Sequence, residues 1–348
     1  MPTDSATLPP APPLLNTGRL DRFIRDHLPG LQGELQVDPI RGGQSNPTFF
    51  LNYGNRALVL RKQPGGPLLP SAHAVDREYR VMAALAHTDL PVPPVLLYHA
   101  DTDILDTPFY LMEKVPGRVF FDNGLPGMAP DVRRQIYLAM ADTLATLHQV
   151  DWQAVGLADF GRPQGYFERQ IRRWQKQWSL TEGADNPAVD RLLEWLQAQP
   201  FDDDETTLTH GDFKLNNLLY HPTEPRVVAV LDWELSTLGH PLADLAFNTI
   251  VWHTLPTEYG GIRGLDLNAL GIPQEAEYLQ RYYDLTDRHQ AGQQVRPSHR
   301  AFALMRLAVI FEGIAARARA GNAVADDAAD IGALASAVAR RGLEAAAL

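Results

Sequence analysis

The sequence lacks several features that would assign a protein to a class at once. Its 348 residues include no cysteine, which excludes disulfide bonds, thiolate zinc sites and a cysteine nucleophile. It has no H-E-x-x-H motif, and its histidines are scattered, so a zinc enzyme of that kind is disfavoured. It also has no apolar run of about 18 residues, so we expect no transmembrane helix.

The first residues, "MPTDSATLPPAPPLLNTG", lack the basic segment of a secretory signal and interrupt their apolar residues with prolines. We therefore expect no signal peptide and interpret residues 1–16 as a flexible Pro-rich arm. The absence of cysteine is compatible with a reducing compartment, and we expect a cytoplasmic protein.

Acidic residues outnumber basic ones, and the formal net charge is −11. This balance disfavours nucleic acid or an anionic membrane as the main partner, because both attract basic surfaces. Hydrophobic content of 45% and charged content of 21% are typical of a globular protein. The length is sufficient for two lobes, each with its own core.

The pattern from about residue 36 to 115 predicts a five-stranded sheet with one helix. "FFLNY" and "RALVLRK" flank Gly54-Asn55, a common pair in two-residue hairpin turns. A helix is predicted through "HAVDREYRVMAALAH", followed by strands at "PVPPVLLYHAD" and "FYLMEKVPG". Beyond this segment the apolar spacing is mainly helical. The layout predicts two lobes with a cleft between them, an N-terminal lobe at 17–115 and a helical lobe at 116–348.

The segment "HGDFKLNNLLYHPTEPRVVAVLDWE" places a hairpin between two sets of polar side chains. Asn217 enters the predicted hairpin and Asp232 leaves it, so both should lie at the same edge of the sheet. Asp212 lies on the loop that leads in. Oxygen ligands of this kind suit Mg²⁺, which completes its coordination shell with water and substrate phosphates. The segment therefore predicts a site for phosphoryl transfer.

"HGDFKLNN" resembles the catalytic loop of aminoglycoside-phosphotransferase-like kinases, and "LDWE" resembles their metal-binding segment. Further segments extend the resemblance over roughly Val37 to Asn322. They are similar to the branch related to the kinase domain that is fused to acyl-CoA dehydrogenases in animals: "GGQSNPT", "LVLRK", "REYRVM", "YLMEKVPG", "LHQVDWQAVGL" and "RQIRRWQKQW". The resemblance implies an α+β, bilobal protein-kinase-like fold with a β-rich N-lobe and a mainly helical C-lobe.

The resemblance also implies ATP and Mg²⁺ as cofactors, a small-molecule acceptor and a role for each matching residue. Asp212 would orient or deprotonate the acceptor hydroxyl, and Lys214 would lie against the γ-phosphate. Asn217 and Asp232 would hold Mg²⁺. The N-lobe would bind the nucleotide through three groups of residues: Gly42, Gly43, Gln44, Ser45 and Asn46 over the phosphates, Arg61 paired with Glu78 at the phosphates, and Glu113, Lys114 and Val115 at the adenine.

The phosphate-binding position departs from the family pattern, because it holds Arg61 rather than lysine. Arginine can also bind phosphate, with two parallel hydrogen bonds. Lys62 is adjacent, but its side chain should point to the opposite face of the strand. The choice between these two residues stays open at this stage.

Four basic residues of the helix "YFERQIRRWQKQW" share one face, and three apolar residues share another. The basic residues are Arg169, Arg172, Arg173 and Lys176, and the apolar ones are Ile171, Trp174 and Trp178. One interpretation is a solvated basic face above a buried aromatic stripe. The other is a surface that binds a carboxylate or the phosphates of a coenzyme A ester.

Three further polar residues are expected to have structural roles. His210 should act as a hydrogen-bonding residue of its loop, and Asp244 as a buried or capping aspartate. Arg306 lies in an otherwise apolar helix, and we expect it to pair with an acid inside the fold.

Our prediction is an ATP- and Mg²⁺-dependent phosphotransferase that acts on a hydroxyl of a small molecule, such as a hydroxyacyl-CoA or another anionic acceptor. Alternatives are an aminoglycoside phosphotransferase and a nucleotide-binding pseudokinase or scaffold. A kinase that acts on proteins is disfavoured, because "LSTLGHPLADLA" follows "DWE" and leaves no room for an activation segment.

Overall fold

The structure is a computed structural model, and it describes residues 15–40, 46–66, 73–181, 183, 185–201, 205–319 and 328–348. Two predictions lie outside these residues, namely the phosphate-covering loop at Gly42 to Ser45 and the first 14 positions of the Pro-rich arm. The chain divides into two compact units. Among the described residues, no helix is both long enough and apolar enough to cross a membrane.

Unit 1 contains the described residues up to His87 together with Val92–Pro116. Its elements are α1 (Thr17–His27), β1 (Gln36–Pro39), β2 (Thr48–Asn52), β3 (Ala57–Lys62), α2 (Val75–Leu85), β4 (Val95–His99) and β5 (Phe109–Glu113). Asn16, which was assigned to the flexible arm, instead caps α1, because its side chain accepts a hydrogen bond from the Arg19 amide at 3.1 Å.

The five strands form one antiparallel sheet in the order β1-β2-β3-β5-β4. The predicted hairpin is present, with Leu51 opposite Leu58. Leu58 and Leu60 belong to a core cluster with Leu20 and Ile24 of α1. Since side chains alternate along a strand, Arg61 lies on the other face of β3. The predicted sheet is confirmed, whereas α1 was not predicted.

Unit 2 contains Thr88–Pro91 and the described residues from Gly117 onwards. Its helices are α3 (Pro130–His148), α4 (Tyr166–Ser179), α5 (Pro187–Gln197), α6 (Pro241–Asn248), α7 (Leu267–Leu270), α8 (Glu275–Leu285), α9 (Pro297–Arg319) and α10 (Ala328–Ala346). Its strands are β6 (Thr207–Thr209), β7 (Leu218–Tyr220), β8 (Val227–Val230) and β9 (Thr237–Gly239).

Helix α9 runs through the main core of unit 2. Its residues cluster with the buried faces of α4, α5, α6 and α10. The predicted apolar stripe of α4 lies in this cluster, with Trp174 and Trp178 at most 9% exposed. Helix α9 also contacts the loop that precedes β7, because Arg306 of α9 donates a hydrogen bond to the Gly211 carbonyl oxygen.

Two short antiparallel pairs frame that loop. The predicted hairpin forms as β7 and β8, with Leu218 opposite Val230. β6 pairs with β9, with Thr207 opposite Gly239. The second pair was not predicted, because three-residue strands are too short to show an alternating pattern.

Candidate active site

The loop from His210 to Asn217 connects β6 to β7. Gly211 has φ of 82°, a region that only glycine adopts without strain. A Cβ atom at this position would lie 2.5 Å from the carbonyl oxygen of Leu235. Both constraints require glycine here, and they fix the direction in which the chain enters Asp212.

Asp244, at the start of α6, holds the first two residues of this loop. Its Oδ2 accepts the His210 amide at 2.5 Å, and its Oδ1 accepts the Gly211 amide at 2.8 Å. The side chain is buried, and burial by itself would raise the pKa of Asp244. The hydrogen bond from His148 and the nearby His210 outweigh burial and hold this pKa below its ordinary value. Asp244 therefore anchors the loop as an ionised carboxylate.

His210 links the loop to the end of β8. Its Nε2 lies 2.8 Å from the carbonyl oxygen of Leu231, and its Nδ1 accepts the Asp212 amide at 3.2 Å. This pattern requires the tautomer with its proton on Nε2. The predicted structural role of His210 is confirmed by these contacts.

The carboxylate of Asp212 is engaged on one side only. Its Oδ2 lies 2.9 Å from Lys214 Nζ and accepts Asn217 Nδ2 at 3.0 Å. Asn217 Nδ2 also donates to the Asp212 carbonyl oxygen at 2.8 Å. The structure thus brings together three of the predicted site residues. Among the described residues, no hydrogen bond or ion pair uses Asp212 Oδ1, which leaves this oxygen for another hydrogen-bond donor.

Lys214 remains charged between two oxygen-bearing side chains. Its Nζ contacts Asp212 and donates to the Tyr259 hydroxyl at 3.3 Å. Burial opposes the charge, but Tyr259 and Asp212 outweigh it and raise the pKa of Lys214 to about 12. Tyr259 itself has φ of 64°, which is uncommon for a non-glycine residue. No motif in the sequence indicated this tyrosine.

Asn217 and Asp232 flank the hairpin as the register requires. The Leu231 amide donates to the Asn217 carbonyl oxygen at 2.8 Å, and Asp232 follows with a left-handed backbone at φ 65°. Because Asn217 Nδ2 donates to Asp212, its Oδ1 is the side-chain atom left for a cation. One amide oxygen and one carboxylate form a donor set that fits Mg²⁺, which keeps water and phosphate ligands.

In unit 1, Arg61 and Glu78 contact each other as predicted. Arg61 Nε lies 2.8 Å from Glu78 Oε2. Glu78 is only 1% exposed, and it also accepts Asn46 Nδ2 at 2.6 Å and the Tyr110 hydroxyl at 2.9 Å. Asn46, predicted to cover the phosphates, is buried and orients Glu78. Phosphate binding by Arg61 stays a prediction.

Lys62 lies on the face of β3 opposite Arg61, as expected. It is 6% exposed, and burial holds the pKa of Lys62 below its ordinary value, although Asp106 opposes this effect. A lysine on the α1 side of the sheet cannot share the contacts that Arg61 makes with Glu78. Arg61 is therefore the better candidate for phosphate binding.

The predicted adenine segment has one free amide. The Glu113 amide donates to the Pro94 carbonyl oxygen at 2.9 Å, and the Lys114 amide donates to that of Ala57 at 3.2 Å. Among the hydrogen bonds between described residues, none uses the Val115 amide. Val115 is thus the position in this segment whose N–H group is available to a ligand.

The basic residues of α4 are more exposed than its apolar stripe, and three of them each contact a different neighbour. Arg169 Nη2 donates to the Arg162 carbonyl oxygen at 2.7 Å. Arg172 pairs with Glu168 in the same helix and is 70% exposed. Arg173 lies 5.7 Å from the centre of the Trp174 ring, and Lys176 is exposed. The role of these four residues in acceptor binding stays a prediction.

Arg306 corrects an expectation. Among the described residues it forms no ion pair with an acid. Its Nη2 instead donates to the Gly211 carbonyl oxygen at 2.5 Å. The sequence indicated a buried arginine, but not its partner, because this contact joins positions 95 residues apart.

Comparison with known proteins identifies the family of this chain. The model of the phosphotransferase enzyme family matches residues 36–302. Acyl-CoA dehydrogenase family member 11 of Gallus gallus is 42% identical over 337 residues, which cover 94% of this chain and 43% of the relative. The chain therefore spans less than half the length of that relative.

Two solved structures share the fold. A Ralstonia eutropha protein, provisionally described as an aminoglycoside phosphotransferase, is 44% identical with a TM-score of 0.86, and the match covers 96% of this chain and 99% of that one. A thermostable aminoglycoside phosphotransferase in complex with AMP-PNP and hygromycin B is 19% identical with a TM-score of 0.57, covering 93% and 98%. The predicted α+β, protein-kinase-like fold is confirmed.

We expect Asp244→Ala to destabilise unit 2 strongly. The change leaves the His210 and Gly211 amides without an acceptor, and each buried orphan donor costs about 1–3 kcal/mol, so roughly 2–6 kcal/mol in total. Urea unfolding followed by tryptophan fluorescence reports on unit 2, because all six tryptophans lie there. Asp142→Ala, which removes an exposed ion pair with Arg281, should cost less than about 1 kcal/mol. Equal stability of the two variants would contradict the anchoring role.

We expect Arg61 and Glu78 to be coupled in nucleotide binding. Arg61→Ala should raise the dissociation constant of MgADP about 10- to 100-fold, because the variant loses one charge-assisted hydrogen bond to the phosphates. Glu78→Gln should weaken it too, and the double variant should lose less than the sum, by about 0.5–3 kcal/mol. Isothermal titration gives these values. Arg25→Ala in α1 is the control and should bind like the wild type. Strict additivity would show that the pair does not act on the nucleotide as a unit.

Proposed function

Since the chain belongs to the phosphotransferase enzyme family, we propose that it transfers the γ-phosphoryl group of ATP to a hydroxyl group of a small molecule, with Mg²⁺ as cofactor. One observation carries this proposal. Asp212 has one oxygen held by Lys214 and Asn217, while the other has no partner among the described residues. Such a carboxylate is oriented and still able to accept a hydrogen bond from a substrate.

Asp212 would act on the acceptor hydroxyl. Its Oδ1 accepts the hydroxyl hydrogen and orients the oxygen for attack. That oxygen forms a bond to the γ-phosphorus as the bond between the γ-phosphorus and the oxygen of ADP breaks. The hydroxyl proton passes to Asp212. The two hydrogen-bond donors on Oδ2 keep the carboxylate in place during this step.

The remaining site residues would supply positive charge and hold the nucleotide. Lys214, kept charged by Tyr259 and Asp212, would stabilise the negative charge of the γ-phosphoryl group. Asn217 Oδ1 and Asp232 would hold Mg²⁺, which would supply positive charge against the phosphates. In unit 1, Arg61 would bind the phosphates, and Glu78 would orient it.

An anionic acceptor, such as a hydroxyacyl-CoA, agrees best with the charges beside Asp212. Lys214 lies in the catalytic loop and contacts Asp212, and Arg306 contacts the same loop at Gly211; positive charge attracts an anion. The relative named as an acyl-CoA dehydrogenase family member supports the same acceptor class. The exposed basic residues of α4 would be a further contact surface for such an acceptor.

Two alternatives remain in view for the acceptor and the activity. Similarity to the Ralstonia eutropha protein, provisionally described as an aminoglycoside phosphotransferase, supports an aminoglycoside acceptor, but Arg306, which forms no ion pair among the described residues, would repel a polycation. A scaffold without activity would not need Asp212, Asn217 and Asp232 together, and all three residues are present.

We expect the wild type to phosphorylate at least one member of an acceptor panel of hydroxyacyl-CoA esters, sugars, amino alcohols and aminoglycosides. Asp212→Asn should lower kcat about 10²- to 10⁴-fold on that acceptor and leave MgADP affinity nearly unchanged, because the carboxylate acts in the transition state. Phosphoryl transfer is measured by mass spectrometry of the acceptor. Asp142→Asn should match the wild type. Wild-type turnover in the Asp212→Asn variant would refute the proposed action of Asp212 on the acceptor hydroxyl.

We expect Mg²⁺ to tighten ATP binding through Asn217 and Asp232. Asp232→Ala should remove most of this gain, because the metal loses its carboxylate ligand. Isothermal titration of ATP, with and without Mg²⁺, compares the variant with the wild type and with Asp142→Ala. If the gain from Mg²⁺ were the same in all three proteins, the proposed metal site would be wrong.

A further inference from the structure

Arg306 is a buried cation beside the catalytic loop. It lies in the middle of α9 and is 8% exposed. Its guanidinium carbon lies 5.7 Å from the centre of the Trp174 ring and 5.1 Å from that of Phe247. Its Nη2 donates to the carbonyl oxygen of Gly211, the residue before Asp212. The charge is thus held between two aromatic rings, one residue away from the proposed base.

No carboxylate neutralises this charge among the residues that the structure describes. Arg306 Nε is buried without an acceptor, and among the described residues the Gly211 carbonyl oxygen is the one hydrogen-bond partner of Arg306. A buried guanidinium is strongly disfavoured unless it is paired and fully hydrogen-bonded. The position therefore favours an anion that is not part of the described chain.

Two acids at the loop, Asp244 of α6 and Asp212 of the loop itself, are engaged with other groups. Asp244 accepts the amides of His210 and Gly211 and contacts His148. Asp212 contacts Lys214. No ion pair joins either carboxylate to Arg306, so their charges are compensated elsewhere.

Trp174 supplies a second donor of the same kind. It is 8% exposed, and its Nε1 is buried without an acceptor among the described residues. Its ring contacts the guanidinium of Arg306. Two neighbouring side chains from α4 and α9 thus each carry a buried N–H group without a partner among the described residues, and each such group calls for an acceptor outside the described chain.

We infer that Arg306 and Trp174 form a subsite for an anionic group of the acceptor, a carboxylate or a phosphate. This inference rests on the proposed function, in which the acceptor hydroxyl meets Asp212. The anion would bind Arg306 while the hydroxyl of the same molecule binds Asp212 Oδ1. Arg306 would then select acceptors by charge and also support the loop through Gly211.

Two matched pairs of probe compounds test the subsite. β-Hydroxybutyrate and its methyl ester differ in the carboxylate. β-Hydroxybutyryl coenzyme A and the corresponding pantetheine thioester differ in the 3′-phosphoadenosine diphosphate group, which carries the coenzyme phosphates. Binding of each compound is measured by isothermal titration in the presence of Mg²⁺ and AMP-PNP, and phosphoryl transfer is measured with Mg²⁺ and ATP.

We expect the wild type to bind the anionic member of one pair about 10- to 100-fold more tightly than its neutral partner. This ratio is the contribution that one charge-assisted hydrogen bond makes to binding. The pair that shows this preference identifies the anion as a carboxylate or a phosphate. Arg306→Gln should bind both members equally. Arg306→Lys, which keeps the charge without the planar group, should show an intermediate preference. Arg281→Gln, an exposed arginine of α8, should match the wild type.

A second variant keeps the test valid if Arg306→Gln does not fold. Trp174→Phe retains an aromatic ring over Arg306 but removes the Nε1–H donor together with part of the indole ring, so it should reduce the preference for the anion without changing MgADP affinity. A purely structural role of Arg306 predicts a different result, in which kcat falls equally for both members of each pair.

The outcomes separate the subsite from the proposed function. Equal binding of both members by the wild type, a preference that survives in Arg306→Gln, or no binding of any probe would overturn the subsite. Preferential anion binding through Arg306 without phosphoryl transfer to any probe would support the subsite and count against the proposed function. Phosphoryl transfer at equal rates to charged and neutral members would support the proposed function and count against the subsite.

Discussion

The two hydrogen bonds that Asp244 accepts from the amides of His210 and Gly211 are the constraint on which the candidate site depends. They fix the backbone just before Asp212, at a glycine whose conformation no other residue adopts easily. Arg306 holds the carbonyl side of the same glycine. A buried carboxylate from α6 and a buried guanidinium from α9 thus hold opposite sides of Gly211, and these contacts connect the core of unit 2 to the candidate site.

Asp212 and Asn217 each use one polar side-chain atom within the loop and keep the other available for a ligand. Asp212 uses Oδ2 for Lys214 and Asn217, and Asn217 uses its amide nitrogen for Asp212. The atoms left over are a carboxylate oxygen and an amide oxygen, which suit a hydroxyl group and a hard cation. The same contacts that stiffen the loop therefore determine which atoms can meet a substrate.

Local pattern predicted much of this arrangement. Alternating apolar residues indicated the five strands of unit 1, and hairpin geometry placed Asn217 beside the residues that lead to Asp232. The contact between Arg61 and Glu78 followed from family resemblance. Helix α1 was missed because only Leu20 and Ile24 of its 11 residues are buried. The left-handed backbone of Tyr259 and the partner of Arg306 depend on contacts between distant positions, which no periodicity in one sequence reveals.

The central claim is that the oxygen that attacks ATP belongs to an acceptor hydroxyl and not to water. The most direct test is turnover of ATP with Mg²⁺ and the acceptor in ¹⁸O-labelled water, followed by mass spectrometry of all phosphorylated products. The account predicts equal amounts of ADP and phosphorylated acceptor, with no ¹⁸O in the transferred phosphoryl group. Formation of ADP with ¹⁸O-labelled inorganic phosphate as the sole other product would contradict it.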